Sequence, residues 1–225
     1  MENVIELKNI VKCYGKGDGR IAALDGVSLS VGRGEFMAVL GPSGSGKTTL
    51  MNMIGLIDKP DMGQYILDGQ DIKKQSENAY AKIRNQKIGF VFQKLNLIPK
   101  YNAMYNVALP ILLQGKNYKT AKRMAMDMLE RVGLGDRWKH RPNELSGGQQ
   151  QRVAIARALV AAGSIILADE PTGSLDQKTG SDVLDFVGEL NREGKTVILI
   201  THDQNVANRA GRVVRMEDGK IKNVS

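Results

Sequence analysis

The stretch Gly41-Pro42-Ser43-Gly44-Ser45-Gly46-Lys47-Thr48, followed by Thr49, constrains this chain more than any other. It has the form G-x-x-x-x-G-K-[ST], a loop that cradles phosphate. Glycines at 41, 44 and 46 let the backbone turn tightly and bring uncovered N–H groups against phosphate oxygens. The apolar run Phe36-Met37-Ala38-Val39-Leu40 predicts a buried strand entering the loop. Thr48 to Ile54 predicts a helix leaving it, and the positive end of that helix favours an anion. Lys47 would reach the β- and γ-phosphates, and the Thr48 hydroxyl would face Mg²⁺. Strand, loop and helix together separate the pattern from a chance Gly/Ser turn and predict that a nucleoside triphosphate binds here.

A chain of 225 residues is long enough to bury a full α/β core, alone or with a small insertion. Its single cysteine, Cys13, excludes an internal disulfide and a cysteine-based metal cluster. The acidic start, Met1-Glu2-Asn3-Val4-Ile5-Glu6, lacks the basic and apolar regions of a signal peptide. The run Val107 to Leu113 is too short to span a bilayer and contains Pro110. The net charge is +8, with basic clusters at 116–123, 137–141 and 209–222. Tyr118 and Trp138 are the only aromatic residues in these clusters and aromatics make up 5% of the chain, too few to stack a run of bases, so a solvated surface is the first expectation and membrane proximity the second. No nucleic-acid partner is expected.

Val4 to Ile10 and Val27 to Val31 alternate as strands with one wet face, and a short strand, Gln64 to Leu67, follows the turn Lys59-Pro60-Asp61-Met62-Gly63. The early part therefore reads as antiparallel. From residue 85 onward strands and helices alternate, which predicts a parallel sheet with crossovers. Between about 94 and 162 the character is helical. Within that insertion, 119–134 places Ala121, Met124, Ala125, Met128, Leu129 and Val132 on one face. Its methionines read as core filler or a compliant docking surface.

Polar groups follow four apolar strands. Phe36–Leu40 delivers the phosphate loop, Lys87–Phe92 delivers Gln93, Ile165–Ala168 delivers Asp169-Glu170, and Thr196–Ile200 delivers Thr201-His202. Ligands of open parallel sheets bind at the carboxyl ends of strands. Asp169 has the form of an acid that holds Mg²⁺, and Glu170 is placed to activate water as a general base. His202 reads as a γ-phosphate sensor. A second anion site is predicted at Leu145-Ser146-Gly147-Gly148-Gln149. There Ser146 caps a long buried helix and the glycines uncover N–H groups. The residues leave open whether it serves the same nucleotide or one held by another chain.

Taken in order, the phosphate loop, Gln93, Leu145–Gln149, Asp169-Glu170, Ser174-Leu175-Asp176 and His202 resemble the ATP-binding-cassette ATPases, over nearly the whole chain. Gly41–Asp58, Asn106–Pro110, Leu145–Arg152 and Asp169–Thr179 resemble the macrolide-efflux and lipoprotein-release branch. One departure is Tyr105, where that branch carries an acid. The resemblance implies a phosphate-loop NTPase core with a parallel sheet, an antiparallel β subdomain and the helical insertion. ATP and Mg²⁺ are the implied ligands, with Tyr14 stacking on adenine and Thr48, Gln93 and Asp169 at the metal. Two chains would pair head to tail around two ATPs, each held by Gly41–Thr49 of one chain and Ser146–Gln149 of the other. Glu170 would polarise water, His202 would hold the γ-phosphate, and Asp176 would connect the sites across the interface. Gln93 would couple the metal to the insertion, and residues after it would meet a separate permease.

The implied function is the ATPase of a membrane exporter or extractor of hydrophobic or amphipathic substrates, at the cytoplasmic face of the membrane. A cassette driving a non-transport transmembrane regulator and an importer ATPase are the alternatives within the family. Cassettes that act on nucleic acid carry long coiled-coil insertions or two cassettes in one chain, and 225 residues show neither.

Overall fold

Apolar residues that alternate with polar ones across the first third of the chain build a four-stranded antiparallel sheet. The computed structural model describes residues 2–72, 75–93, 95–161, 163–173 and 175–224. Ser174 of the Ser174-Leu175-Asp176 motif, and residues 94 and 162 at the ends of the expected insertion, lie outside them. The chain divides into two units, residues 1–81 with 190–225, and residues 82–189.

In the first unit, β1 (Asn3–Tyr14) lies between β2 (Ile21–Gly32) and β4 (Met62–Leu67), and β5 (Gln70–Asp71) completes the order β2-β1-β4-β5. Ile5 pairs with Val31 on one side and Leu67 on the other, and all three are buried. The second sheet of this unit centres on β3 (Phe36–Leu40). It pairs in parallel with β8 (Thr196–Thr201) and with β9 (Arg212–Glu217), and β10 (Lys220–Val224) closes the edge as an antiparallel hairpin. Central strands buried on both faces read as continuous apolar runs, as Met37 to Leu40 and Val197 to Ile200 do. Helix α1 (Lys47–Ile54) follows β3, buries Leu50, Met51, Met53 and Ile54, and stops at Gly55. Helix α2 (Glu77–Lys87) leads from this unit into the next.

In the second unit, β6 (Ile88–Val91) pairs in parallel with β7 (Ile165–Asp169). Helices α3 (Ala103–Leu113), α4 (Tyr118–Arg131) and α5 (Gly147–Ala161) share a core that includes Val107, Ile111, Leu129 and Val153. Each fully buried branched side chain of this kind contributes roughly 1.5–3 kcal/mol. Asn102 and Asn117 start α3 and α4 by accepting the Tyr105 and Thr120 amides, each at 2.9 Å. Met124, Met126 and Met128 pack half-buried against the same core. Helix α6 (Gln177–Arg192) then leads back to the first unit, where α7 (Gln204–Ala207) follows β8.

The hairpin β9–β10 occupies the 209–222 stretch that the sequence shows as a basic cluster. Val214 and Met216 face inward from it while Arg215 and Glu217 stay exposed. Among the described residues, no helix is long and apolar enough to cross a membrane.

A phosphate loop and a second cluster of strand-end residues

The sequence of the loop between β3 and α1 dictates its shape. Gly46 caps α1 at φ +97°, and Gly44 has φ +80°, both in the left-handed region that glycine tolerates. A Cβ on Gly46 would lie 2.4 Å from the Ala23 carbonyl oxygen, and one on Gly41 would lie 2.2 Å from that of Met216. Backbone packs so closely there that no other residue fits. The first turn of α1 has no intrahelical acceptors for its N–H groups, so Lys47, Thr48 and Thr49 present donors at the loop. Lys47 is buried, and its Nζ donates to the carbonyls of Gly41 at 2.7 Å and Pro42 at 2.6 Å. The ammonium thus lies folded over the loop. Thr48 is exposed, as are Pro42, Ser43 and Gly44, while Ser45 is buried and its Oγ has no hydrogen-bond partner among the described residues.

Strand register places His202 at the same level. Leu40 pairs with Thr201 across the parallel ladder, so Gly41 and His202 leave adjacent strands side by side. The His202 side chain is exposed. The Thr201 Oγ1 accepts from the Asp203 amide at 3.0 Å, and the Asp203 carboxylate caps α7 through Asn205 at 2.7 Å. The turn is therefore pinned on both sides of the histidine.

Tyr14 ends β1 with its ring 44% exposed. Its hydroxyl donates to Asp58 Oδ2 at 2.8 Å, and Asp58 Oδ1 takes Lys12 Nζ at 2.7 Å. Burial alone would raise the Asp58 carboxyl, but the hydrogen bonds from Lys12, Tyr14 and the Lys59 amide hold it below the usual range. Burial and the Asp58 carboxylate push the Tyr14 phenol up. For Lys12, burial opposes the charge, and the bond to Asp58 with the charges of Asp58 and Asp61 overcomes it and raises the ammonium.

In the second unit, Val91 pairs with Ala168, so Phe92-Gln93 and Asp169-Glu170 leave β6 and β7 in step. Glu170 has φ +46°, a costly conformation for a residue with a Cβ. Strain of this kind concentrates at functional sites. Gly173 turns back toward Glu170, its amide donating to the Glu170 carbonyl at 3.1 Å. A Cβ at Gly173 would lie 3.3 Å from Gln93 Nε2 and 3.4 Å from Glu170 Oε2, so both side chains border the same glycine. The segment beyond Gln93 is held from two helices. The Arg157 guanidinium donates to the carbonyls of Leu95 and Asn96, each at 2.7 Å, and burial lowers its pKa. The fully buried Asn106 accepts from the Ile98 amide at 2.8 Å and directs its Nδ2 at the Ile98, Tyr101 and Asn102 carbonyls.

Ser146 and Gln149 form a reciprocal capping box at the start of α5. The Gln149 amide donates to Ser146 Oγ at 3.3 Å, and the Ser146 amide donates to Gln149 Oε1 at 3.0 Å. Ser146 and Gly147 are exposed. Gly148 faces α6, where a Cβ would meet Thr179 Cγ2 at 2.5 Å. Asp176 precedes α6, and hydrogen bonds from Thr179 and neighbouring amides hold its exposed carboxyl low.

Each unit thus assembles its own part of the predicted set. Gly41–Thr49, Tyr14 and His202 lie in the first, and Gln93, Ser146–Gln149, Asp169, Glu170 and Asp176 in the second. Lys12, Asp58, Gly173 and Thr179 did not stand out in the sequence. Lys59 reads only as the start of a turn, and Asp58 only as the end of a stretch shared with the macrolide-efflux branch.

Residues 24–173 match the family described as ABC transporter. An uncharacterised ABC transporter ATP-binding protein of Thermotoga maritima is 46% identical over 224 residues, all of this chain and 96% of that protein. The ATP-binding protein YvrO of Bacillus subtilis is 50% identical over 97% of this chain and 95% of its own length. The macrolide export ATP-binding/permease protein MacB of Hyphomonas neptunium is 48% identical over 97% of this chain, which spans only 34% of MacB. Among solved structures, the cassette MJ0796, a dimer in a post-hydrolysis state bound to ADP and Pi, superposes with a TM-score of 0.91 at 43% identity. The match covers 98% of this chain and 97% of that one.

Proposed function

This chain belongs to the ABC transporter family, and on that premise we propose that it is the ATP-hydrolysing subunit of a membrane exporter. With a transmembrane permease it would expel or extract a hydrophobic or amphipathic substrate from the cytoplasmic side. The observation that carries the reading is the loop between β3 and α1, with Lys47 drawn over it and the open turn of α1 behind it. That arrangement supports a triphosphate site. On ATP binding, Lys47 exchanges the Gly41 and Pro42 carbonyls for phosphate oxygens, and the backbone N–H groups of Gly44–Thr49 bind the remaining phosphate charge. Tyr14 stacks on the adenine.

Thr48, Gln93 and Asp169 would hold Mg²⁺. They offer a hydroxyl, an amide oxygen and one carboxylate, hard oxygen donors of the kind this ion takes alongside phosphates and water. Bound there, the ion neutralises charge on the phosphates. Glu170 accepts a proton from the attacking water at its carboxylate, and His202 hydrogen-bonds the γ-phosphate. The shared neighbour Gly173 supports a concerted response of Gln93 and Glu170, and Arg157 and Asn106 transmit movement of the segment beyond Gln93 to the helices of residues 94–162.

Two chains pair head to tail, with Ser146–Gln149 and Asp176 of one completing the nucleotide site of the other. The dimeric cassette MJ0796 supports that assembly, and the macrolide export proteins among the relatives support export. The test is nucleotide binding and turnover by the purified chain. Lys47→Ala loses ATP binding, while Glu170→Gln binds ATP and loses turnover by about 10²–10⁴-fold. Wild-type turnover by Glu170→Gln would overturn the assignment of the base.

A further inference from the structure

β1 ends at Tyr14, and Gly15, Gly17 and Gly19 follow, with no side chains to hold the ring. Support comes from 44 residues away, where Asp58 Oδ2 accepts the Tyr14 hydroxyl at 2.8 Å. The other oxygen, Oδ1, accepts Lys12 Nζ at 2.7 Å and the Lys59 amide at 2.8 Å. Lys12 Nζ also donates to the Lys59 carbonyl at 2.8 Å and lies 5.5 Å from the Tyr14 ring centroid. Alternation along β1 brings Lys12 and Tyr14 to the same side, and the intervening Cys13 amide donates to Asp61 Oδ2 at 2.8 Å.

Asp58 is itself anchored to the phosphate-binding helix. It lies just beyond α1, and its amide and that of Ile57 both donate to the Asn52 carbonyl, at 3.2 and 2.9 Å. The ring at the end of β1 is therefore oriented by the helix that begins at Lys47.

We infer that Asp58 is a positioning residue for nucleotide recognition: it fixes the Tyr14 ring relative to α1 and so sets the distance between the base platform and the phosphate loop. The inference rests on the reading of Tyr14 as that platform. A charge-assisted hydrogen bond is about twice as strong as a neutral one, so the tether restricts ring rotation before ATP arrives. Its loss weakens binding of the base and leaves binding of the phosphates alone.

The experiment titrates ATP and inorganic tripolyphosphate, which has no base, into wild type, Asp58→Asn, Tyr14→Phe, the double variant and Tyr14→Ala. Tyr14→Phe keeps the ring and the Lys12–Asp58 pair, so it tests the tether without disturbing that pair. Asp58→Asn and Tyr14→Phe are each expected to weaken ATP about tenfold. The double variant is no weaker than either single one. Tripolyphosphate affinity is unchanged, and in turnover the loss falls on KM and not on kcat. Wild-type ATP affinity in both single variants, with Tyr14→Ala weakened, would overturn the positioning role and leave the platform standing. Equal loss of ATP and tripolyphosphate in Asp58→Asn would show a merely structural residue and overturn it too. If Tyr14→Ala keeps the full preference for ATP over tripolyphosphate, the platform reading itself fails, and the inference with it.

Discussion

At Asp58 one carboxylate meets three donors, and its protonation is coupled to folding. Its folded pKa is lowered, so its contribution to stability is present above the unfolded value of 3.8 and is lost as the pH falls through the folded value. Lys12 and Tyr14 are raised, so their contributions are present below 10.5 and 10.0 and are lost as the pH rises through their folded values. The network therefore stabilises from the carboxylate range up to about pH 10. Urea unfolding should show wild type more stable than Asp58→Asn at pH 7, with the gap shrinking below pH 4. A gap that widens on acidification would contradict the network. The loop glycines make a sharper prediction. Gly46→Ala combines φ +97° with a backbone oxygen 2.4 Å from the new Cβ. It should destabilise by about 2 kcal/mol or more and abolish ATP binding, measured by thermal unfolding with and without nucleotide. The two sites also differ in how they read from sequence. Gly46 stands inside a local pattern whose chemistry is complete within eight residues. Asp58 acts on a residue far along the chain, and no local pattern records that.

At the level of elements, α5 begins with a signal that local sequence does carry. Ser146 predicts a helix cap, and the structure adds the reciprocal bond from Gln149, so Ser146→Ala should cost about 1 kcal/mol in denaturant unfolding. The same helix shows where propensity misleads. Replacing Gly148 with Ala would by itself favour a helix by up to about 1 kcal/mol. Its Cβ, however, would meet Thr179 Cγ2 at 2.5 Å, and a β-branched side chain yields little. Gly148→Ala should therefore destabilise, and adding Thr179→Ser, which removes that methyl group, should restore stability above the glycine parent. A stable Gly148→Ala would show that α5 and α6 separate at no cost. Other elements were hidden by their composition. Pro110 and an unbroken apolar run obscure α3, which the core of the second unit accommodates with Val107 and Ile111 buried. The arginines and lysines of 209–222 draw attention from Val214 and Met216, whose burial makes that stretch a strand beside β3.

For the whole molecule, the fold class was legible, and Gly41, Gln93, Asp169-Glu170 and His202 stood out as candidates because each lies at the end of an apolar strand. The parallel registers Leu40–Thr201 and Val91–Ala168 put those groups in step within each unit. The left-handed backbone of Glu170 and its approach to Gln93 around Gly173 were not legible, since tertiary packing imposes them. The exposed cap of α5, remote in sequence from the phosphate loop, is the feature that the proposed head-to-tail pairing would explain. A bulky charge there should block the proposed pairing. Ser146→Arg is thus expected to abolish turnover while ATP titration stays close to wild type. Equal loss of binding would argue against a site shared between chains. The most direct measurement of the central claim is sedimentation of Glu170→Gln with and without ATP and Mg²⁺. A monomer without nucleotide and a dimer with it are expected, and no dimer once Ser146→Arg is added. A Glu170→Gln chain that binds ATP to saturation and still sediments as a monomer would contradict that claim.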